Sequence, residues 1–501
     1  MKRFFFWSFV AMLLFGLLFF SLNLFDSRRG SFSDALPILP ARLEPDNGFF
    51  VLWGFAEPVD VDPGDAAYRA RMLELFEATV RNAFFRARYS QWQTRLNASF
   101  RRHWQGAGLN FPRLPEEDVC AYAASARTRI EEQRRRYAVP LRRFALMLRA
   151  GRIEDFTPLD WDFPSRSLAL ASATAKLHAL SRALDALDGD WQGAGDGLLA
   201  AMAAGMKLIA SGRTLKVNAL GKTLVDSSLL TLASLLNRGD CPPAWARRVL
   251  DALPERHAPE FGTEAVRTFA WMNFAHALER IERNKIVDPY LLKDYFREPA
   301  GFFALERFVA ISGPGFFTVV HALASHFMKK NESAAALRSF WQEVGRLEET
   351  PPASWSAGAR PQVRLGSILH LGPFWWMRNP LGKMMVRAAV PYTWPVLQHY
   401  VYRSHGLKAR YDLVRLLARA RVQAGSAMSM DSDGLQGFLA SAPERDPFSG
   451  RPYLFNSGRG MLYSVGQDGQ DDGGRETPGA WRDSDIAVPI SFMNKTLDVR
   501  R

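Results

Sequence analysis

The sequence predicts a mostly α-helical protein, with an N-terminal transmembrane helix, an irregular stack of antiparallel helix pairs and a small β hairpin unit at the C-terminus. Three observations carry this expectation. Phe4 to Phe25 is an almost unbroken apolar run. From Asp65 to about residue 424, apolar residues recur at the three-and-four spacing of half-buried helices. From Asp431 onward the chain turns to Gly, Asp, Ser and Pro, with only short alternating apolar runs. The 501 residues are 48% hydrophobic and 23% charged, enough for a sizeable core and for about two to four domains. Two cysteines exclude a disulfide-built scaffold or a multi-cysteine zinc module. The slightly negative mean hydropathy excludes a polytopic membrane protein.

The opening run sets the expected location. As a helix, Phe4–Phe25 reaches roughly 33 Å, enough to cross a hydrocarbon core. Lys2 and Arg3 precede it and favour a cytoplasmic N-terminus, against which Arg28 and Arg29 weigh. A cleaved signal peptide would have a shorter apolar stretch and a small-residue cleavage site, and Leu22–Ser27 has no such pattern. The expectation is an uncleaved single-pass anchor (1–25) in a bacterial inner membrane, with the bulk of the chain in the periplasm. There Cys120 and Cys241 either pair or stay as buried thiols.

Residues 26–64 read as a stalk and linker, punctuated by Pro37, Pro40, Pro45, Pro58 and Pro63 with a turn at Asp46-Asn47-Gly48. A helical domain follows over 65–350. Its expected helices include 68–103, 118–151 (interrupted at Pro140), 167–187, 196–210, 220–236, 243–253, 263–283, 305–329 and 334–347. Arg238-Gly239 ends one of them and Asp240 is placed to cap the next. Residues 351–430 form an aromatic and proline element leading into a long helix bent near Pro391 and Pro395. Leu407, Tyr411, Val414 and Leu417 mark one face of that helix, and Lys408, Arg415 and Arg419 another. The Phe374-Trp375-Trp376 cluster is a partner surface or simply core.

The last segment, 431–501, reads as a small β unit. Asp446-Pro447-Phe448-Ser449-Gly450 is a turn, and runs near 452–456 and 461–465 flank Ser457-Gly458-Arg459-Gly460 as a hairpin. Between Gly466 and Asp485 lie six acids, Asp468, Asp471, Asp472, Glu476, Asp483 and Asp485, against two arginines, in a chain whose net charge is +13. Carboxylates interleaved with glycines suit a hard cation such as Ca²⁺. This stretch, Tyr463–Gly474 with Asp483–Ile486, resembles the calcium-loop segment of the major pseudopilins of type II secretion. The resemblance covers about fifty residues and implies Asp483 and Asp485 as side-chain ligands, with Asp468 a weaker one. Met1–Phe25 has none of the pseudopilin leader or junction, so the chain is not a pseudopilin. The anchor, the helical middle, Asn379-Pro380-Leu381-Gly382 and the terminal hairpin together resemble a broad group of uncharacterised membrane-anchored bacterial proteins.

Sharper motifs fail on their spacing. Gly221-Lys222-Thr223 mimics the end of a P-loop, but Lys216 stands where the first glycine is needed. His276 and Glu279 lack the partners of a di-iron bundle, and His321 and His326 are five apart, off one helix face. Asp431-Ser432-Asp433-Gly434 starts like an EF-hand loop without its later glutamate. No catalytic constellation emerges. The leading expectation is a non-enzymatic envelope scaffold with a calcium-binding terminal loop, whose partners are other envelope proteins or anionic lipid headgroups near arginine runs such as Arg134–Arg136. Nucleic acid is not expected. The alternatives are an envelope hydrolase with loop-borne carboxylates, or an accessory part of a secretion or pilus machine.

Overall fold

A computed structural model of the chain describes residues 7, 10, 14, 44, 46–55, 65–81, 118–158, 168–254, 261–284, 329–354, 380–425, 432–476 and 485–490. Phe4 and Phe25, the helix expected at 305–329 with His321 and His326, the Phe374–Trp376 cluster and Asp483 lie outside these residues. Within the opening run, the described positions Trp7, Val10 and Leu14 are helical, and Trp7 and Leu14 are exposed. The architecture is mostly helical with one small three-stranded antiparallel sheet.

The centre is three long helices, α6 (Ala169–Leu187), α7 (Trp191–Ser211) and α8 (Leu215–Leu236), packed on one another. Helix α6 presents Ala171, Ala175, Ala179, Ala183 and Ala186 to the core, small residues that admit close neighbours. The backbones of α7 and α8 meet at glycines: a Cβ on Gly205 would lie 2.7 Å from the Gly221 carbonyl oxygen. Asp190 and Thr214 cap α7 and α8 by accepting the Gly193 and Val217 amides. Seventeen of the 22 residues of α8 are buried. Helix α8 is long and apolar enough to cross a membrane, but here it is the core helix of the folded body.

Two layers cover this centre. On one side lie α3 (Val119–Ser125), α4 (Arg127–Arg136) and α5 (Ala138–Leu148), where one helix was expected over 118–151. The breaks fall at Ala126 and Tyr137, while Pro140 sits in the first turn of α5, where a missing amide is tolerated. On the other side lie α9 (Pro243–Ala252), α10 (Glu264–Asn284), α11 (Lys330–Glu349) and α12 (Pro380–Gly425). The cap of α9 is Pro242 rather than Asp240, whose carboxylate instead takes the Arg238 guanidinium at 2.6 and 2.8 Å.

The expected linker contains a piece of core. Gly48–Trp53 forms helix α1, all six residues buried, beside α2 (Asp65–Arg81) and α5. Asn47, read as part of a turn, caps it by accepting the Phe49 amide at 3.0 Å and holds it by donating to the Glu154 carbonyl at 3.0 Å. Phe49, Phe50 and Trp53 then pack around Phe76 of α2. The prolines on either side hid a short apolar helix too brief to show a period.

The terminal unit begins with a helix that the sequence did not announce, α13 (Ser432–Ser441), which includes the EF-hand-like Asp433-Gly434. The hairpin is as expected, β1 (Leu454–Asn456) pairing with β2 (Met461–Ser464) in the register Leu454↔Tyr463. The strand β3 (Ile486–Pro489) adds to the other edge of β2, with Ser464 opposite Ile486. This sheet lies on α12 and α8, and Asn237 at the end of α8 donates its side-chain amide to the Pro489 carbonyl.

Candidate functional site

Asp446 organises the terminal unit. Its buried carboxylate accepts the Phe448 amide at 3.0 Å, the Ser449 hydroxyl at 2.8 Å and the Ser464 hydroxyl at 2.7 Å. The Asp-Pro-Phe-Ser-Gly turn is thereby tied to the end of β2, from which the acidic loop leaves. Gly466, Gly469, Gly473 and Gly474 along this loop all have positive φ, the conformation that favours glycine.

The described acids of the loop, Asp468, Asp471, Asp472, Glu476 and Asp485, do not gather into a metal-holding cluster. Asp468 spends one oxygen on the Gln470 amide at 3.1 Å, a local turn. Asp471 accepts the Tyr463 hydroxyl at 2.8 Å and the Gly473 amide at 3.0 Å. Asp485 is fully buried at the start of β3: its Oδ2 accepts the Gly474 amide at 2.7 Å, while Oδ1 has no hydrogen-bond partner. Burial, with Asp472 and Asp471 nearby, pushes its carboxyl up to about 7. Among the described residues no three His, Cys, Asp or Glu side chains stand close enough to hold a metal ion. Of the two predicted ligands among the described residues, Asp468 and Asp485, only Asp485 therefore has a lone pair to offer in a buried setting.

Glu476, the fourth acid of the loop, has a different role. Arg410 of α12, only 2% exposed, donates to Glu476 at 2.6 and 2.9 Å and to Asp226 of α8 at 2.5 Å. Burial alone would lower this guanidinium's pKa, but Asp226 and Glu476 outweigh it and hold it above its ordinary value. A second clamp lies along the same helix, where Arg415 and Arg419 both pair with Glu444. Asp412 takes Lys408 at 2.8 Å and the Tyr453 hydroxyl at 2.9 Å. The basic face of α12 thus meets the terminal unit, with Arg410 and Arg415 buried and Lys408 and Arg419 partly exposed. The sequence signal was present in the arginine spacing, but nothing local says which acids answer it.

Elsewhere the buried titratable groups are structural. Lys222, from the false P-loop, lies inside α8 with its ammonium 2.7 Å from the Ser404 hydroxyl and 3.3 Å from the Tyr400 carbonyl. Ser404 in turn donates to the Tyr400 carbonyl at 2.8 Å, so its oxygen is an acceptor toward Lys222. A nucleophilic serine needs the opposite arrangement, with its proton directed to a neutral amine. His178 and His405 are pushed down to about 4, chiefly by burial. The thiols of Cys120 and Cys241 are free and buried, raised by that burial to about 12 and about 11, far from thiolate chemistry. Glu348 of α11 caps α10 by accepting the Thr263 amide and hydroxyl and pairs with Arg267 at 3.2 Å. The side chain of His276 lies outside the described residues.

Comparison with protein-family models, with curated proteins and with solved structures finds no match to this chain.

Proposed function

We propose that this chain is a non-enzymatic envelope protein. It is a helical interaction platform tethered to a bacterial inner membrane by its N-terminal helix, with its bulk in the periplasm and a terminal β unit that takes Ca²⁺. The observation that carries the calcium reading is Asp485, a fully buried carboxylate with one oxygen unpartnered, flanked by Asp471 and Asp472. A buried carboxylate among acids is costly unless something positive reaches it. A calcium ion meets that need with Asp485 as the central side chain and loop carbonyls as the remaining ligands, joined by Asp483 and, at the margin, Asp468. The exposed apolar side chains of Trp7 and Leu14 suit a helix that lies in lipid. The deep clamps between α12 and the β unit suit a rigid platform.

Two measurements test the proposal. At pH 7.5 the full chain is melted in chelator and in millimolar calcium: a higher Tm in calcium, abolished by Asp485→Asn, supports the cation. An identical melt in both means that a proton alone satisfies Asp485. Reporter fusions at the C-terminus and the mass of the mature N-terminus test the anchor; a cytosolic reporter, or loss of Lys2 and Arg3, overturns it.

A further inference from the structure

We propose that Asp471 is the second carboxylate ligand of the calcium site at Asp485, and that the Tyr463 hydroxyl positions it. The inference rests on the calcium reading above and names a ligand which that reading leaves unassigned.

The two carboxylates hang on successive backbone amides. Gly473 donates to Asp471 Oδ1 at 3.0 Å, and Gly474 donates to Asp485 Oδ2 at 2.7 Å. Both glycines have positive φ, and consecutive amide nitrogens stand about 3 Å apart, so the two acids are drawn to one small turn. Each carboxylate spends one oxygen there and keeps the other. Oδ1 of Asp485 is buried without a hydrogen-bond partner. Among the described residues, both hydrogen bonds that Asp471 accepts fall on its Oδ1, which leaves Oδ2 for an ion. Calcium takes oxygens at about 2.3–2.6 Å and completes its shell with backbone carbonyls, a demand that two carboxylates on neighbouring amides meet. Asp471 and Asp472 are exposed whereas Asp485 is buried, so an ion reaches Asp485 from the side of the loop acids.

The sheet holds this turn in place. Tyr463 lies in the central strand β2, between Leu454 of β1 and Ala487 of β3, and is only 5% exposed. Its hydroxyl donates to Asp471 Oδ1 at 2.8 Å. Asn456 of β1 donates to the Gly473 carbonyl at 2.9 Å, and the Asp485 amide donates to the Arg475 carbonyl at 2.9 Å, so the turn is tied to β1 and to the start of β3. Gly474 lies directly on β2: a Cβ there would stand 2.9 Å from that of Met461. With Oδ1 held by a buried phenol and an amide, the Asp471 carboxylate has little rotamer freedom left to lose on taking an ion. Asp472, whose charge also bears on Asp485, is held by no comparable pair of donors among the described residues. Asp468 closes its own turn with Gln470.

The test is calorimetric titration of calcium into the full chain in nanodiscs, for wild type, Asp471→Asn, Tyr463→Phe, these two combined, and Asp472→Asn. Tyr463→Phe is expected to raise the Kd about tenfold, and Asp471→Asn by more. The combined variant is expected to bind no worse than Asp471→Asn alone, because the hydroxyl acts only through that carboxylate. A tyrosine that merely supports the fold would weaken both backgrounds alike, and that result overturns the positioning role. Wild-type affinity in Asp471→Asn, or a larger loss in Asp472→Asn, overturns the ligand and leaves the calcium reading standing. No calcium uptake by the wild type overturns both. Melting in chelator shows whether each variant is folded. If Tyr463→Phe is not, 3-fluorotyrosine at position 463 of the otherwise unaltered chain decides: a fluorine resonance that moves on calcium addition, and does not move in Asp471→Asn, supports the positioning role, and an unmoved resonance overturns it.

Discussion

Arg410 donates from its Nη2 to both carboxylate oxygens of Glu476, at 2.6 and 2.9 Å, joining the longest described helix to the loop that precedes the last strand. Because Arg410 also holds Asp226, one guanidinium joins three parts of the chain: the core helix α8, the long helix α12 and the terminal unit. The loop that carries the candidate cation ligands is therefore fixed at its far end to the centre of the fold.

Removing only the guanidinium leaves two carboxylates facing each other in a largely dry site. Arg410→Met is expected to cost about 3 to 5 kcal/mol in denaturant unfolding, whereas the triple replacement Arg410→Met, Asp226→Leu, Glu476→Leu recovers most of that loss. Equal destabilisation by both would mean that the network contributes net attraction beyond mutual neutralisation.

Asp485 makes stability depend on pH in a defined direction. Its folded pKa of about 7 lies above the ordinary 3.8, so the folded state holds the proton more tightly. Its contribution is complete below about pH 4 and is lost as pH rises through 7. His178 and His405, depressed to about 4, act oppositely, lowering stability as pH falls below their ordinary 6.5. The difference between wild type and Asp485→Asn isolates the carboxylate: in chelator, the variant is expected to gain on wild type between pH 4 and 7 and to hold that gain above. A flat difference across this range would show that Asp485 ionises freely.

Lys222 is a buried ammonium with two neutral acceptors. Burial depresses it to about 7, against the pull of Glu348 and with the push of Arg403. Lys222→Met removes that charge while Ser404 keeps its bond to Tyr400, and is expected to raise stability by about 1 to 4 kcal/mol at pH 7. For wild type, stability from this group climbs as pH goes from about 7 to 10.5, and the variant loses that climb. A destabilised Lys222→Met would point to a use for the amine beyond packing.

At the α7–α8 crossing, Gly205→Ala sets a methyl 2.7 Å from the Gly221 carbonyl oxygen and 2.8 Å from Val225. The obstacle is backbone, so the helices must part. The expected loss is about 1 to 3 kcal/mol by chemical unfolding, and an unchanged midpoint would mean that the crossing is loose.

Much of the architecture was legible along the chain. The helices α6 to α11, the hairpin with its glycine-containing loop and the chance nature of the P-loop match all follow from spacings of a few residues, because helical and strand periods are local. A short apolar helix such as α1 carries no period, and Asn47 looks the same in a turn as in a cap. The acidic loop was legible as a composition and misleading as a cluster. Among the described acids of the loop, Glu476 is fixed to Arg410, Asp471 to Tyr463, Asp468 sits in its own turn and Asp485 is buried at the start of β3.

What the sequence determined by itself is the helical class, the order of the elements and the apolar faces, since each depends on neighbours three, four or two positions away. Only the tertiary structure decided that the basic face of α12 meets the terminal unit and that α8 is core. Only it placed Arg410 between acids 184 and 66 residues distant. Charges separated that far along the chain meet only after the apolar faces have packed, and the energy of each pair then depends on how completely that packing removes water.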